Sequence, residues 1–382
     1  MKIGLVCPHN MARGGGVQEI VRDLRAGLTK LGHDVKIITP QPRDIEGCDT
    51  EGIIFLGNAA DFRSPLHTTS QFSVSVDTDE IERMLETEQF DVLHFHEPWV
   101  PILSRQILAR SKAVNIATFH AKVPETLMSR TVIKVVTPYT KSLLRYLHTL
   151  TAVSDAAAEY ATSLTDESVT IIPNGIDLKR FQLAAKAGKK DPNVKTILYI
   201  GRLERRKGLK YLFQAYEQLV RNQQDVRLVI AGDGPDREKL ELLVKSMKLP
   251  NVTFLGFVTD KAKMDLLGSA DLFCSPALFG ESFGIVLLEA MASGVVTVAG
   301  DNSGYTAVMQ EMGNLSLVNP RETDEFARRL SLLLNEKTLR ADWQKWAKGY
   351  VEQFNYPQII KRYEELYKYA LEHHSHHIKL HE

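Results

Sequence analysis

The chain has 382 residues, 44% apolar and 25% charged, enough for two separately cored domains and ordinary for a globular protein. Its 47 Lys and Arg balance 47 Asp and Glu, so no global field draws it to nucleic acid or to an anionic membrane. Three widely spaced cysteines, Cys7, Cys48 and Cys274, argue against a disulfide framework or zinc site and fit a reducing cytosol. The N-terminal residues show no leader pattern and no apolar run is long enough to span a bilayer.

Short apolar runs alternate with helical patterns, as in parallel α/β units. Strands are predicted at 2–7, 34–39, 52–56, 91–96, 114–119, 150–153 and 169–172, with helices at 17–31, 78–88, 102–111, 139–147 and 155–163. The polar segment 184–193 ends this series and marks a domain boundary. The alternation then restarts with strands at 196–200, 226–231, 252–256, 272–275, 295–299 and 315–318. Helices at 323–334, 339–350 and 357–371 follow, and the His-rich stretch after them is expected to be disordered.

Gly14-Gly15-Gly16 follows the first strand and opens a helix, so its backbone can approach a phosphate or a sugar. The spacing is not G-x-G-x-x-G and the acidic residue closing a second strand is missing, which argues against a nicotinamide site. Gly232-Asp233-Gly234 reads as a turn before a helix start at Pro235 or as a base-binding loop. Arg202, Arg205, Arg206, Lys207 and Lys210 form the densest basic cluster, just after the first strand of the second series. In open α/β sheets the C-termini of strands at such positions face the ligand crevice. A solvated helix start is the plainer reading of the same charges.

The stretch from Gly280 to Gly294 is a turn running into an apolar helix, with Glu281 in the turn and Glu289 in the helix. At helical rise the two carboxylates stand ~12 Å apart, about the distance from sugar to ribose in a nucleotide diphosphate sugar. Ser282 and Gly284 leave the helix N–H groups open to a diphosphate. His120 ends a strand, and His94 and His96, two apart, share one strand face and could mimic metal ligands.

The 281–289 segment resembles the E-x7-E signature of the retaining glycosyltransferases of family 4. The likeness continues at Lys2-Ile3-Gly4-Leu5-Val6-Cys7-Pro8, Asp91-Val92-Leu93-His94-Phe95-His96-Glu97-Pro98, Ala117-Thr118-Phe119-His120, Ile172-Pro173-Asn174-Gly175 and Gly201-Arg202-Leu203-Glu204-Arg205-Arg206-Lys207-Gly208. It is greatest to the bacterial phosphatidyl-myo-inositol mannosyltransferases. The resemblance implies the α/β GT-B fold, two Rossmann-like doubly wound domains facing a cleft. Residues 1–180 with 357–382 would form the acceptor-binding domain, the last helix crossing back, and 190–356 the nucleotide-sugar-binding domain.

It implies retaining transfer of a hexose, mannose from GDP-mannose, to a phosphatidylinositol-like or polyol acceptor. His120, Glu281, Arg202 and Lys207 would be catalytic, with Gly15, Gly16, Phe283, Gly284, Ile285 and Glu289 completing the donor site. His9, Gln18 and Lys122 would face the acceptor, while Arg205, Arg206 and Lys210 stay a solvated face. No cofactor and no metal would be required, the nucleotide diphosphate sugar being the donor substrate. His94 and His96 then become structural or acceptor-side residues. The two acids are too far apart for the carboxylate pair of a retaining hydrolase, which favours a front-face mechanism. The same residues admit a glucosyl- or N-acetylglucosaminyltransferase using a UDP-sugar, or a GT-B sugar-nucleotide epimerase.

Relatives dock on membranes through a basic helix of the first domain, with a cytoplasmic, inner-face location. Here helix 78–88 carries Asp79, Glu80, Glu82, Glu86 and Glu88 against Arg83. Weak peripheral membrane contact is therefore expected elsewhere, through Lys122 and Arg130 in a loop after His120 and through Lys134, Lys141 and Arg145.

Overall fold

The computed structural model describes residues 1–11, 15–42, 50–63, 69–75, 77–100, 102–122, 127–223 and 225–373. The chain forms two units, Met1–Asn174 with Tyr356–Glu382, and Gly175–Asn355.

The first unit runs β1 (Lys2–Val6), α1 (Gly16–Lys30), β2 (Asp34–Gln41), β3 (Ile53–Arg63), β4 (Thr69–Ser75), α2 (Thr78–Glu88), β5 (Val92–His96) and α3 (Leu103–Leu108). It continues through β6 (Val114–Phe119), α4 (Leu127–Leu144), β7 (Thr149–Ala152), α5 (Asp155–Thr162) and β8 (Val169–Ile171). These strands make one sheet in the order β4-β3-β2-β1-β5-β6-β7-β8. The sheet is parallel except for the edge pair β3 and β4. The inner strands β1, β5 and β6 are buried almost throughout, as in parallel sheets covered on both faces. Ile3, Leu5, Ile37 and Ile116 meet Val21, Leu24 and Leu28 of α1 in the core.

The second unit contains α6 (Leu178–Ala187), β9 (Lys195–Ile200), α7 (Leu209–Asn222), β10 (Val226–Ala231), α8 (Arg237–Ser246), β11 (Val252–Gly256) and α9 (Asp260–Ser269). Then come β12 (Leu272–Ser275), α10 (Ile285–Ala292), β13 (Val296–Gly300), α11 (Ser303–Thr306), β14 (Leu317–Val318), α12 (Thr323–Asn335) and α13 (Lys337–Tyr350). Its six parallel strands take the order β11-β10-β9-β12-β13-β14. That is a doubly wound sheet whose direction of winding reverses between β9 and β12, the place where such sheets bind ligands. The last helix, α14 (Tyr356–Glu372), belongs to the first unit, where Ile359, Ile360, Tyr363 and Tyr367 enter the α1 and β-sheet core.

The structure differs from the sequence reading at several elements, and β3 runs on to Arg63 rather than ending at Leu56. Strand β4 was not expected, since its Thr- and Ser-rich run carries little apolar signal and its stability comes from pairing with β3. Helix α4 starts twelve residues earlier than expected and carries Pro138 inside it. Proline removes one backbone donor, but the residues after it still supply an apolar face, with Leu143 and Leu144 buried. Arg130 and Lys134 therefore lie on a helix, and the loop after His120 is shorter than supposed. Helix α6 was overlooked. Asp177 caps it by accepting from the Arg180 N–H at 3.2 Å, and Arg180 pairs with Asp260 of α9 at 3.1 Å. The units consequently divide before α6, at Gly175, and the polar segment 184–193 lies inside the second unit.

Candidate active site

In the second unit the chain leaves β9 at Ile200 and turns sharply. The buried Tyr199 hydroxyl donates to the Arg202 carbonyl at 2.9 Å, and a short 3-10 turn, Arg205–Lys207, leads into α7. This turn aligns charges in a chain. Glu204 accepts from Arg202 Nε at 2.8 Å and from Arg206 Nε at 2.9 Å. Glu281, arriving from the loop after β12, takes Arg206 Nη1 at 2.5 Å and Lys207 Nζ at 2.8 Å on one oxygen. Three cations face two carboxylates, which leaves one positive charge in excess beside Arg202, whose side chain is 47% exposed.

Arg202, Lys207 and Glu281 thus come together through Glu204 and Arg206, and Arg205 and Lys210 are exposed. Arg206 does not fit a solvated face. Its side chain is only 31% exposed, and it also donates to the Gly280 carbonyl at 3.1 Å. Burial works against its charge, but the Glu281 and Glu204 carboxylates outweigh that and raise its pKa. Adjacent charges in sequence gave no sign of this, because Glu281 lies 75 residues away.

The α10 helix begins only at Ile285, so four helical steps, ~6 Å, separate its start from Glu289. Glu281 stands outside the helix, and the helical spacing inferred from sequence does not apply to the pair. Gly284 caps α10 at φ 100°, a conformation that strains any residue with a Cβ, and a Cβ there would lie 2.7 Å from the Tyr305 ring. No side chain caps this end, and Leu287 N–H bonds back to the Gly284 carbonyl at 2.9 Å, which leaves the N–H groups of Ile285 and Val286 without an intrahelical partner at the positive end of the dipole. Tyr305 is itself fixed by Ser275 Oγ at 2.7 Å. Burial first, and the Glu281 carboxylate second, push the Tyr199 and Tyr305 phenols well above their ordinary pKa.

Phe283 is buried with its ring 6.0 Å from Phe354, so its side chain is part of the core and only its backbone is left for a ligand. Glu289, 11% exposed in its side chain, pairs with Lys263 Nζ of α9 at 2.7 Å. Sequence reasoning missed Lys263, for which no local pattern exists. The Gly232 turn is explained by backbone packing, since a Cβ there would sit 1.9 Å from the Gly201 carbonyl at φ 133°. Leu203 N–H also bonds to the Asp233 carbonyl at 2.9 Å, so this turn buttresses the Arg202 loop.

In the first unit, Gly15 caps α1 in extended conformation with no side chain bonded there, and the space around a Gly16 Cβ is open. Gly14 lies outside the described residues, as does Cys48; Cys7 and Cys274 are buried free thiols. Gln18 donates to the Asn10 carbonyl at 3.4 Å, and the His9 carbonyl accepts from Thr39 at 2.8 Å, which ties the loop after β1 down. Burial lowers the His9 imidazole to about 4.

At the ends of β5 and β6 three histidines pack together. Both nitrogens of His94 are used, Nδ1 with Tyr367 Oη at 2.7 Å and Nε2 with Thr118 Oγ1 at 2.6 Å, so its role is structural. His96 Nδ1 lies 2.8 Å from His120 Nε2. Glu97, at φ 53°, accepts the His120 N–H at 3.0 Å. Burial pushes its carboxyl up to about 8, despite N–H groups from His120 and Ala121 that pull it down, so it is protonated at neutral pH. Burial likewise lowers His94 and His120 to about 3 and His96 well below its ordinary value, so all three are neutral. Lys122 pairs with Glu159 at 3.3 Å.

Family models match the chain in two consecutive parts, Glycosyltransferase Family 4 over residues 14–180 and Glycosyl transferases group 1 over residues 181–350. The chain is 31% identical over 376 residues to a phosphatidyl-myo-inositol mannosyltransferase of Mycolicibacterium smegmatis, covering 95% of this chain and 94% of that protein. In fold it is similar to the sucrose-phosphate synthase of Thermosynechococcus elongatus, with a TM-score of 0.78, 20% identity and coverage of 97% of this chain and 99% of that one. It is also similar to Anabaena HepE in complex with UDP-glucose, with a TM-score of 0.75, 18% identity and coverage of 97% and 100%.

Proposed function

Because this chain belongs to glycosyltransferase family 4, and is a glycosyltransferase of GT-B fold, we propose that it transfers mannose from GDP-mannose with retention at the anomeric carbon. The acceptor is a phosphatidylinositol-like lipid or a related polyol, the class named for its Mycolicibacterium relative. The observation that carries the donor assignment is the uncapped N-terminus of α10 in the same unit as Glu281 and Lys207, themselves 2.8 Å apart. Open N–H groups and a nearby cation are what a diphosphate requires.

In this reading Arg202, Lys207 and the amides of Gly284 and Ile285 hold the diphosphate as its charge grows. Glu281, oriented by Arg206 and Lys207, accepts hydrogen bonds from hexose hydroxyls. Glu289 binds the ribose, held in place by its pairing with Lys263. Gly15 and Gly16 lie against the donor, while His120 meets the transferred sugar, with His9, Gln18 and Lys122 towards the acceptor. The bond from C1 to the phosphate oxygen breaks as the acceptor oxygen bonds C1 on the same face. The acceptor proton passes to the departing phosphate. Preorganised charge at the phosphate supplies the main stabilisation, and no cofactor or metal takes part.

Among the described residues no helix is long and apolar enough to cross a membrane. Peripheral contact with the inner face of the membrane from the cytoplasm suits a lipid acceptor. The test is a panel of GDP- and UDP-sugars against phosphatidylinositol, free inositol and glycan acceptors, followed by nucleotide release and product mass. A mannosylated inositol lipid from GDP-mannose supports the reading. A product only from UDP-sugars, or an epimerised sugar nucleotide with no glycoside, overturns it.

A further inference from the structure

Three buried polar atoms of one cluster in the first unit have no partner among the described residues: His96 Nε2, His120 Nδ1 and Glu97 Oε2. Such atoms are rare in folded proteins and each needs an explanation. The cluster is otherwise tightly held. His94 is fixed at both nitrogens and packs on His96, with ring centroids 4.2 Å apart. His96 and His120 stack with centroids 5.1 Å apart, and Glu97 Oε1 grips the His120 main chain. His120 is therefore fastened at its backbone and at Nε2, which leaves only Nδ1 to act.

With both rings neutral, a single proton lies between His96 Nδ1 and His120 Nε2, so one ring is donor and the other acceptor. If His120 donates, the unmet N–H falls on His96 Nε2, in a residue that is 0% exposed. If His96 donates, the unmet N–H falls on His120 Nδ1, in a residue that is 7% exposed. Both nitrogens are buried, and an unmet N–H is costly on either; the second arrangement puts it on the ring of the residue that keeps some exposure, where a ligand oxygen can meet it.

We infer that His96 is a positioning residue that donates its Nδ1 proton to His120 Nε2, so that His120 presents Nδ1–H as a neutral donor to a hydroxyl oxygen of the transferred sugar or its acceptor. This rests on the proposed transferase reading. It gives His120 the task of orienting a hydroxyl and makes it no proton acceptor. That agrees with a mechanism in which the leaving phosphate takes the acceptor proton. Glu97, protonated, holds the His120 backbone without placing a charge beside the pair.

The direct test is the tautomer of His120, read from long-range nitrogen–proton correlations in the full-length protein labelled with [15N]histidine and assigned with His120→Asn. An Nδ1–H tautomer in the wild type, lost in His96→Leu, is expected. An Nε2–H tautomer overturns the inference, whether or not the protein proves to be a mannosyltransferase. The kinetic test compares His96→Asn, whose amide can replace Nδ1, with His96→Gln and His96→Leu, after melting curves confirm folding. We expect kcat to fall by about ten- to a hundredfold in the Gln and Leu variants with donor KM unchanged, and to be largely rescued in the Asn variant. In a His120→Ala background His96→Leu should cost nothing further. Equal losses in folded Asn and Leu variants, or additivity with His120→Ala, would overturn the positioning role.

Discussion

Arg206 closes on Glu281, with Nη1 2.5 Å from Oε1, while its Nε is held by Glu204 at 2.9 Å. Glu281 therefore owes its place to two cations, Arg206 and Lys207, and only Lys207 was assigned to the site by sequence. Arg206→Ala frees the Glu281 carboxylate on one side and removes the link to Glu204.

On the solvated face that the sequence suggests for Arg206, its replacement by Ala would do little. The geometry reverses that expectation. Misplacing a substrate-binding group by about 1 Å can cost on the order of a hundredfold, so Arg206→Ala should lower kcat/KM by roughly ten- to a hundredfold. Lys207→Ala, which removes a phosphate contact as well, should cost about a hundredfold or more. Arg205→Ala, at an exposed position, should be near neutral. Steady-state kinetics on the three variants checks the order, and a neutral Arg206→Ala would contradict it.

Acid should destabilise the protein through its buried imidazoles. His94 and His120 are lowered by burial from 6.5 to about 3, so between those values the unfolded chain binds protons that the native state refuses. Stability present above pH 6.5 is lost as pH falls, at about 1.4 kcal/mol per unit for each histidine. Calorimetry at pH 5 in buffers of different ionisation heat should record net proton uptake on unfolding. Proton release under those conditions would contradict the burial of neutral rings.

Glu97 acts in the opposite direction. Its carboxyl, raised from 4.5 to about 8, stays protonated in the native state while the unfolded chain ionises, so stability falls as pH rises from 4.5 to about 8 and the penalty is constant above that. Glu97→Gln removes this dependence. Its melting temperature relative to wild type should be higher at pH 9 than at pH 5, and the reverse order would show that Glu97 is ionised in the fold.

Membrane association should be weak and salt-sensitive. Helix α2 is acidic as expected, and Glu88 at its end binds Lys2 at 2.8 Å and Lys36 at 2.7 Å, so it offers no basic face. Lys122 is engaged by Glu159, while Lys141 lies on α4 and Arg145 just beyond its end. Polybasic segments gain about 1 kcal/mol per Lys or Arg at an anionic surface, so a handful of charges gives binding that salt reverses. Co-sedimentation with phosphatidylinositol-containing vesicles at low and high salt tests this. Tight binding that survives high salt would contradict it.

The parallel sheets were legible in sequence because strands buried on both faces announce themselves as uninterrupted apolar runs, such as Ile3 to Cys7 and Leu272 to Cys274. The glycine at 284 and the acid at 281 were legible as a turn before a helix. What stayed hidden depends on contacts distant in sequence. Lys263 meets Glu289 26 residues on, Arg206 meets Glu281 75 residues on, and His94 meets Tyr367 273 residues on. Strand β4 was hidden for a related reason, since its partner supplies the structure that its own polar residues do not signal.

Retaining transfer from a nucleotide diphosphate sugar requires the glycoside to keep the anomeric configuration of the donor. Nuclear magnetic resonance of the first-formed glycoside from GDP-α-mannose and phosphatidylinositol reads this from the one-bond carbon–proton coupling at the anomeric centre. The wild type should give an α-mannoside, and Glu281→Ala should lose that product by about a hundredfold or more in rate. A β-mannoside, or undiminished synthesis by the Glu281→Ala enzyme, would contradict it.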